Sequence, residues 1–182
     1  MYNIPILFLI FCRPDTTEQV FEQIRAIKPA RLYVAADAPR AGRPDEAERA
    51  AQARAITEKV DWPCEVKTLY REQNLGCKRA VSEAISWFFE QEEYGVILED
   101  DCLPHPSFFP YCEELLLRYK DDQRIGHISG NCFSASGHIA GAKLRFLFRY
   151  SYLGMGNLAQ GMEKLLSRFS FLGGHKEQPG QA

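Results

Sequence analysis

Residues 94–101 read Tyr-Gly-Val-Ile-Leu-Glu-Asp-Asp. Three apolar residues in a row, Val96, Ile97 and Leu98, predict a buried strand over 94–98. Three carboxylates, Glu99, Asp100 and Asp101, stop it. Alternation along a strand sends Glu99 and Asp101 to one face and Asp100 to the other until the chain turns. Adjacent carboxylates repel one another, and a hard cation such as Mn²⁺ or Mg²⁺ relieves that repulsion. An acidic triplet alone is ordinarily a solvated turn or a helix cap. Its place directly after a buried strand is what points to a site.

Moving toward the N-terminus, residues 78–90 carry Val81, Ala84, Ile85 and Phe88 at helical spacing. A strand over 65–70 precedes them and ends at Arg71. Asp45 is expected to cap an Ala/Glu/Arg-rich helix reaching about residue 60. Before the proline- and glycine-containing loop 38–44, a strand over 31–36 stops at Asp37. Asp15 or Thr16 is expected to cap a helix with Val20, Ile24 and Ile27 on one face, ended by Pro29. The apolar run 4–12 reads as a first, central strand, followed by Arg13-Pro14-Asp15. Toward the C-terminus, a helix is predicted from Pro106 to about Tyr119 and a fifth strand over 125–129. Four alternations of strand and helix with short connections predict an α/β fold, a mainly parallel sheet with helices on both faces.

Ligands of such sheets bind at the carboxyl ends of the strands. Here those ends carry Arg13, Asp37, Arg71 and the triplet, a mixture of cations and carboxylates suited to a phosphate ester held with a divalent cation. No GxGxxG, GxxxxGK[ST] or GxSxG motif occurs, so dinucleotide, P-loop and serine-hydrolase readings lack their signatures. The six cysteines form no CxxC pair, and no histidine lies at metal-ligand spacing from them, which argues against a zinc site or a disulfide framework and for a reducing compartment. His105, His127 and His138 are not expected to be ligands. The aromatics Trp87, Phe88, Phe89, Phe108 and Phe109 are expected to pack helices onto the sheet.

The chain has 182 residues, 22 basic and 24 acidic, which favours neither disorder nor a generic nucleic-acid binder. The nine residues 4–12 are too short to cross a bilayer and include Pro5, so no transmembrane segment is expected. The near-neutral total conceals an asymmetry. Residues 1–142 hold 16 basic and 22 acidic side chains, net −6, and residues 143–182 hold 6 and 2, net +4.

The segment YGVILEDDCLPHPSFFPY at 94–111 resembles the metal-binding segment of GT-A glycosyltransferases, the sugar-nucleotide transferases with a DxD-type motif. The likeness is to bacterial family 2-like members and, more distantly, to the Golgi N-acetylglucosaminyltransferase that initiates complex N-glycans. It extends through PILFLIFCRPDTT, RLYVAADAPR, REQNLGCKRAVSEAISWFF and ISGN, about the first 130 residues. The resemblance implies that Arg13 contacts the diphosphate and that Asp37 reads the nucleotide base. It places Asn74, Gly76, Lys78 and Arg79 along the nucleotide cleft. It implies that Asp101 coordinates Mn²⁺ or Mg²⁺, with Glu99 and Asp100 holding its waters or the ribose. The partners implied are a nucleoside diphosphate sugar donor and a carbohydrate or other hydroxyl acceptor, in cell-surface polysaccharide synthesis. With the cysteine pattern, the expected location is cytoplasmic or peripheral at the membrane. An inactive nucleotide-sugar or metal-binding fragment is the alternative. A phosphohydrolase built on the triplet lacks an evident nucleophile.

The family continues after ISGN with an aromatic segment like IWGWATWR. Read from the second base of each codon, Met155-Gly156 and Met162-Glu163 must each encode Trp, and permitted codons turn residues 152–163 into Ile-Trp-Gly-Trp-Ala-Thr-Trp-Arg-Lys-Ala-Trp. This reading divides the chain into a donor-binding portion, 1–142, and an aberrant, frameshifted and poorly ordered tail, 143–182. It expects the acceptor site and its base to be absent from the chain as written.

Overall fold

The five apolar residues Ile6–Ile10 form β1, and all five are buried, as expected of a strand covered on both faces. The computed structural model describes residues 1–122 and 124–130. After β1 come α1 (Pro14–Ile27), β2 (Arg31–Ala36), α2 (Pro44–Thr57), β3 (Glu65–Tyr70), α3 (Cys77–Phe89), β4 (Val96–Glu99) and α4 (Phe108–Tyr119). The strands form one parallel sheet in the order β3-β2-β1-β4. The first two connections lay β2 and β3 successively to one side of β1. The connection through α3 then carries the chain to the other side, where Leu9 of β1 pairs with Glu99 of β4. Strand order therefore reverses between β1 and β4, and that point opens a crevice at the strands' carboxyl ends.

Alternation divides the sheet residues between two layers. Ile6, Phe8, Leu32, Val34, Val96 and Leu98 join one buried cluster with Val20, Phe21 and Ile24 of α1, Ala53 and Ile56 of α2, and Phe108, Phe109, Cys112 and Leu116 of α4. On the opposite face Tyr33 meets Trp87 and Phe88 of α3 edge-on, with ring centroids 5.4 and 4.9 Å apart. The Tyr33 hydroxyl donates to Glu92 at 2.7 Å. Gly95, just before β4, lets Phe88 reach the sheet: a Cβ there would lie 2.3 Å from Phe88 Cζ and 2.9 Å from the Pro5 carbonyl oxygen.

Several boundaries differ from the sequence expectation. The first strand covers Ile6–Ile10 rather than 4–12, because ladder pairing with β2 and β4 extends only that far, although Ile4 is buried. Neither Asp15, Thr16 nor Asp45 caps a helix. α1 and α2 begin at Pro14 and Pro44 with no side-chain cap, since a proline at the first helical position supplies the right φ and removes one of the N–H groups a cap would satisfy. α4 starts at Phe108, two residues after Pro106. Residues 125–129 form no strand. Ile128 is buried in the core, but the segment does not enter the sheet ladder. No helix among the described residues is long and apolar enough to cross a membrane. The tail 143–182, the boundary at 142 and His138 lie outside the described residues.

Candidate functional site

The site is assembled where β1 and β4 diverge. One more backbone bond, from Asp100 N–H to the Leu9 carbonyl at 2.9 Å, continues the ladder and fixes the start of the turn. Asp100 then folds back into the crevice. Its carboxylate accepts from the Phe11 N–H at 3.0 Å and pairs with Arg13 Nη2 at 2.5 Å, with its side chain 1 % exposed. The other edge of the Arg13 guanidinium donates to Asp101 Oδ2 at 2.8 Å. One arginine from the β1 end thus bridges two carboxylates from the β4 end. Burial acts against the Arg13 charge, but Asp100 and Asp101 outweigh it and hold the guanidinium protonated more firmly than usual.

Glu99 ends β4 and Asp101 lies in the turn that follows, so the turn rather than strand alternation brings the two together. Donor atoms of Glu99, Asp101 and Cys102 all fall within 4.8 Å of one another. Burial pushes the Glu99 carboxyl up from its ordinary value; the Asp101 and Asp100 charges push the same way, and Arg13 only partly opposes them. Burial likewise pushes Asp100 up, against the pull of Arg13 and the Phe11 N–H. Glu99 and Asp101 offer hard carboxylate oxygens of the kind that Mn²⁺ or Mg²⁺ takes. The cysteine between them and the next loop adds a soft atom that neither ion requires.

These groups border a cavity of about 520 Å³. Its floor is the α3 side of the sheet, with Leu9, Ala35 and Leu69, and its wall is α3, with Ala80, Val81 and Ala84. Asp37, at the end of β2, faces it and serves as a latch. Its carboxylate accepts from the N–H groups of Ala38 (2.9 Å), Leu75 (3.0 Å) and Gly76 (3.0 Å), and from Asn74 Nδ2 (3.1 Å). Asn74 Nδ2 also donates to the Ala38 carbonyl at 2.6 Å. The turn 74–76 is thereby fastened against β2, and Gly76, with φ 77°, sends the chain into α3. Arg54 supports the same corner from α2, donating to the carbonyls of Asp37 (3.1 Å) and Arg71 (3.3 Å).

Arg13, Asp37, Asn74, Gly76, Glu99 and Asp100 therefore line one cavity, with Asp101 on its Arg13 side. Lys78 and Arg79 do not. They border a neighbouring depression with Leu75 and Ser82, which adjoins the cavity at Gly76 and Cys77, and Arg79 is paired with Glu83 at 2.7 Å. Three cavity residues escaped the sequence reading: Arg40, Cys12 and Cys77. Arg40 is held by the buried Glu46, which accepts from its Nε at 2.9 Å. That contact spans a prolyl loop, where no helical or strand spacing rule applies. Cys77 could have been suspected from its place directly after the Gly76 turn. Burial raises the Cys77 and Cys12 thiols, and neighbouring carboxylates, Glu99 for Cys77 and Glu46 for Cys12, push the same way. Both are kept as thiols rather than nucleophilic thiolates.

No family model matches the chain, and no significant match to it occurs among curated proteins.

Proposed function

We propose that this chain binds a nucleoside diphosphate sugar and forms the donor side of a glycosyltransferase of GT-A type, working with Mn²⁺ or Mg²⁺. The observation that carries the reading is the convergence, at the reversal between β1 and β4, of Arg13 with Glu99, Asp100 and Asp101 beside a cavity of about 520 Å³. A divalent cation held by Asp101 and Glu99 would supply charge neutralisation for a nucleoside diphosphate leaving group.

The chain's own residues divide the remaining work. Arg13 presents a guanidinium at the mouth of the crevice, the planar donor that diphosphate oxygens match. Asp100, buried and committed to Arg13 and the Phe11 N–H, aims that guanidinium rather than touching a ligand itself. Asp37 holds Asn74 and Gly76 against the cavity, so its contribution to base recognition runs through the turn it organises. Lys78 and Arg79 stand outside the cavity and act on the approach of an anion rather than on its bound geometry. Leu9, Ala35 and Val81 supply the apolar surface a flat base would cover.

Calorimetric titration with a panel of nucleotide sugars, with and without Mn²⁺, tests the reading. Binding of at least one donor is expected to need Mn²⁺, and Asp101→Ala is expected to weaken Mn²⁺ binding at least about tenfold. No heat with any donor, together with an unaltered Asp101→Ala, rules the reading out. Donor binding with neither hydrolysis nor transfer marks the chain as a donor-binding module alone.

A further inference from the structure

Arg13 is placed where two different ligands would need it to be in different states. Its guanidinium is divided between a buried partner, Asp100, 1 % exposed, and an open one, Asp101, 37 % exposed. The inner half is reinforced: Asp100 also accepts from the Phe11 N–H, and breaking that contact would strand a buried charge. The outer half is a solvent-screened pair of the kind that contributes little net stability. Nη1 on Asp101 is therefore the contact that can be given up, while Nη2 on Asp100 is the one that stays. Asp101 is also the outermost carboxylate of the cluster with Glu99 and Cys102.

We propose that Arg13 is the resident counter-ion of Asp101, that a divalent cation displaces it from that carboxylate, and that the freed Nη1 edge then serves the diphosphate. Cation and donor accordingly strengthen each other's binding through this one side chain. The inference rests on the donor-site reading and adds to it an exchange of partners at a single arginine. A divalent cation on Asp101 repels the Arg13 guanidinium and competes with it for the carboxylate's charge, and the screened outer contact is the one that repulsion would break. Because Asp100 keeps hold of Nη2, loss of the Asp101 contact frees Nη1 without releasing the side chain. Binding free energies are reciprocal, so the factor by which a nucleoside diphosphate raises Mn²⁺ affinity equals the factor by which Mn²⁺ raises nucleotide affinity.

The test measures Mn²⁺ binding to the full chain by calorimetry, with Mn²⁺ alone and with saturating uridine diphosphate. Arg13→Gln should bind Mn²⁺ alone about fivefold more tightly than the parent, the factor expected from releasing one exposed ion pair. The enhancement that uridine diphosphate produces in the parent should shrink in the same variant. Arg118→Gln removes an equal charge from α4, outside the cavity lining, where Arg118 pairs with Glu114 at 3.9 Å; it should retain the enhancement. If Arg13→Gln fails to fold because Asp100 is left unpaired, Arg13→Gln/Asp100→Asn removes that buried charge and carries the same expectation. Mn²⁺ affinity unchanged or weakened in the folded Arg13 variant, with the enhancement intact, overturns the exchange while leaving the donor site standing. A parent chain that binds no Mn²⁺ with or without uridine diphosphate overturns both.

Discussion

Asp37 holds together a corner of the cavity that no regular element spans. Its two oxygens accept from three backbone N–H groups and one side-chain amide, and two of those N–H groups belong to residues 38 and 39 positions further along. Asp37→Ala leaves those donors partly unsatisfied and should cost about 1–3 kcal/mol of stability, read from urea denaturation. It should also loosen the 74–76 turn, measured as faster amide exchange at Leu75 and Gly76, while exchange in β1 stays as in the parent. An unaltered turn would show that Asp37 is not its latch. At this scale the sequence reveals that a carboxylate sits at a strand end, since the strand's apolar run stops there. It does not reveal the carboxylate's partners, because they arrive through a different loop.

Among the elements, α3 depends on an absence. Phe88 is fully buried and its ring occupies the volume over Gly95, with Tyr33 on one side and Phe89 on another. Gly95→Ala drives a methyl into that ring and against the Pro5 carbonyl, neither of which has room to retreat. It should destabilise the protein by about 1–3 kcal/mol, measured as a lower urea midpoint, through overpacking rather than through backbone preference. A substitution with no effect would mean that α3 lifts easily from the sheet. The existence of α3 was legible in Val81, Ala84, Ile85 and Phe88, whose spacing is set by the helix itself. The starts of α1 and α2 were harder to read. Asp15 and Asp45 look like caps, yet Pro14 and Pro44 open the helices and place each aspartate inside the first turn, where its charge still favours the helix dipole. The expected fifth strand over 125–129 had suitable residues, but a strand is defined by its neighbour and not by its own composition.

At the scale of the whole molecule, two small sets of acidic groups have opposite pH signatures. Asp61, Glu46 and Glu83 are held below their ordinary values chiefly by hydrogen bonds from Arg25, Arg40 and Arg79. Their stabilisation is present above the ordinary carboxylate range and is lost as pH falls through their lowered values. Glu99 is raised, first by burial and then by Asp101. Its contribution is fully present below the ordinary range and is lost as pH rises through its raised value, so the ionised group destabilises the folded chain at neutral pH. In cation-free buffer Glu99→Gln should therefore be more stable than the parent at neutral pH, with the margin vanishing in acid. Urea denaturation across the pH series checks this, and a variant less stable at neutral pH would contradict the assignment. The pattern of apolar runs, helical faces and charged strand ends was determined by the sequence alone, because each depends on neighbours within a few residues. Tertiary structure decided which of those ends meet. The crossover through α3 puts β4 beside β1, bringing Arg13 to Asp101 from 88 positions away. The same element leaves Lys78 and Arg79 outside the cavity, since the residues of α3 that line it are Cys77, Ala80, Val81 and Ala84.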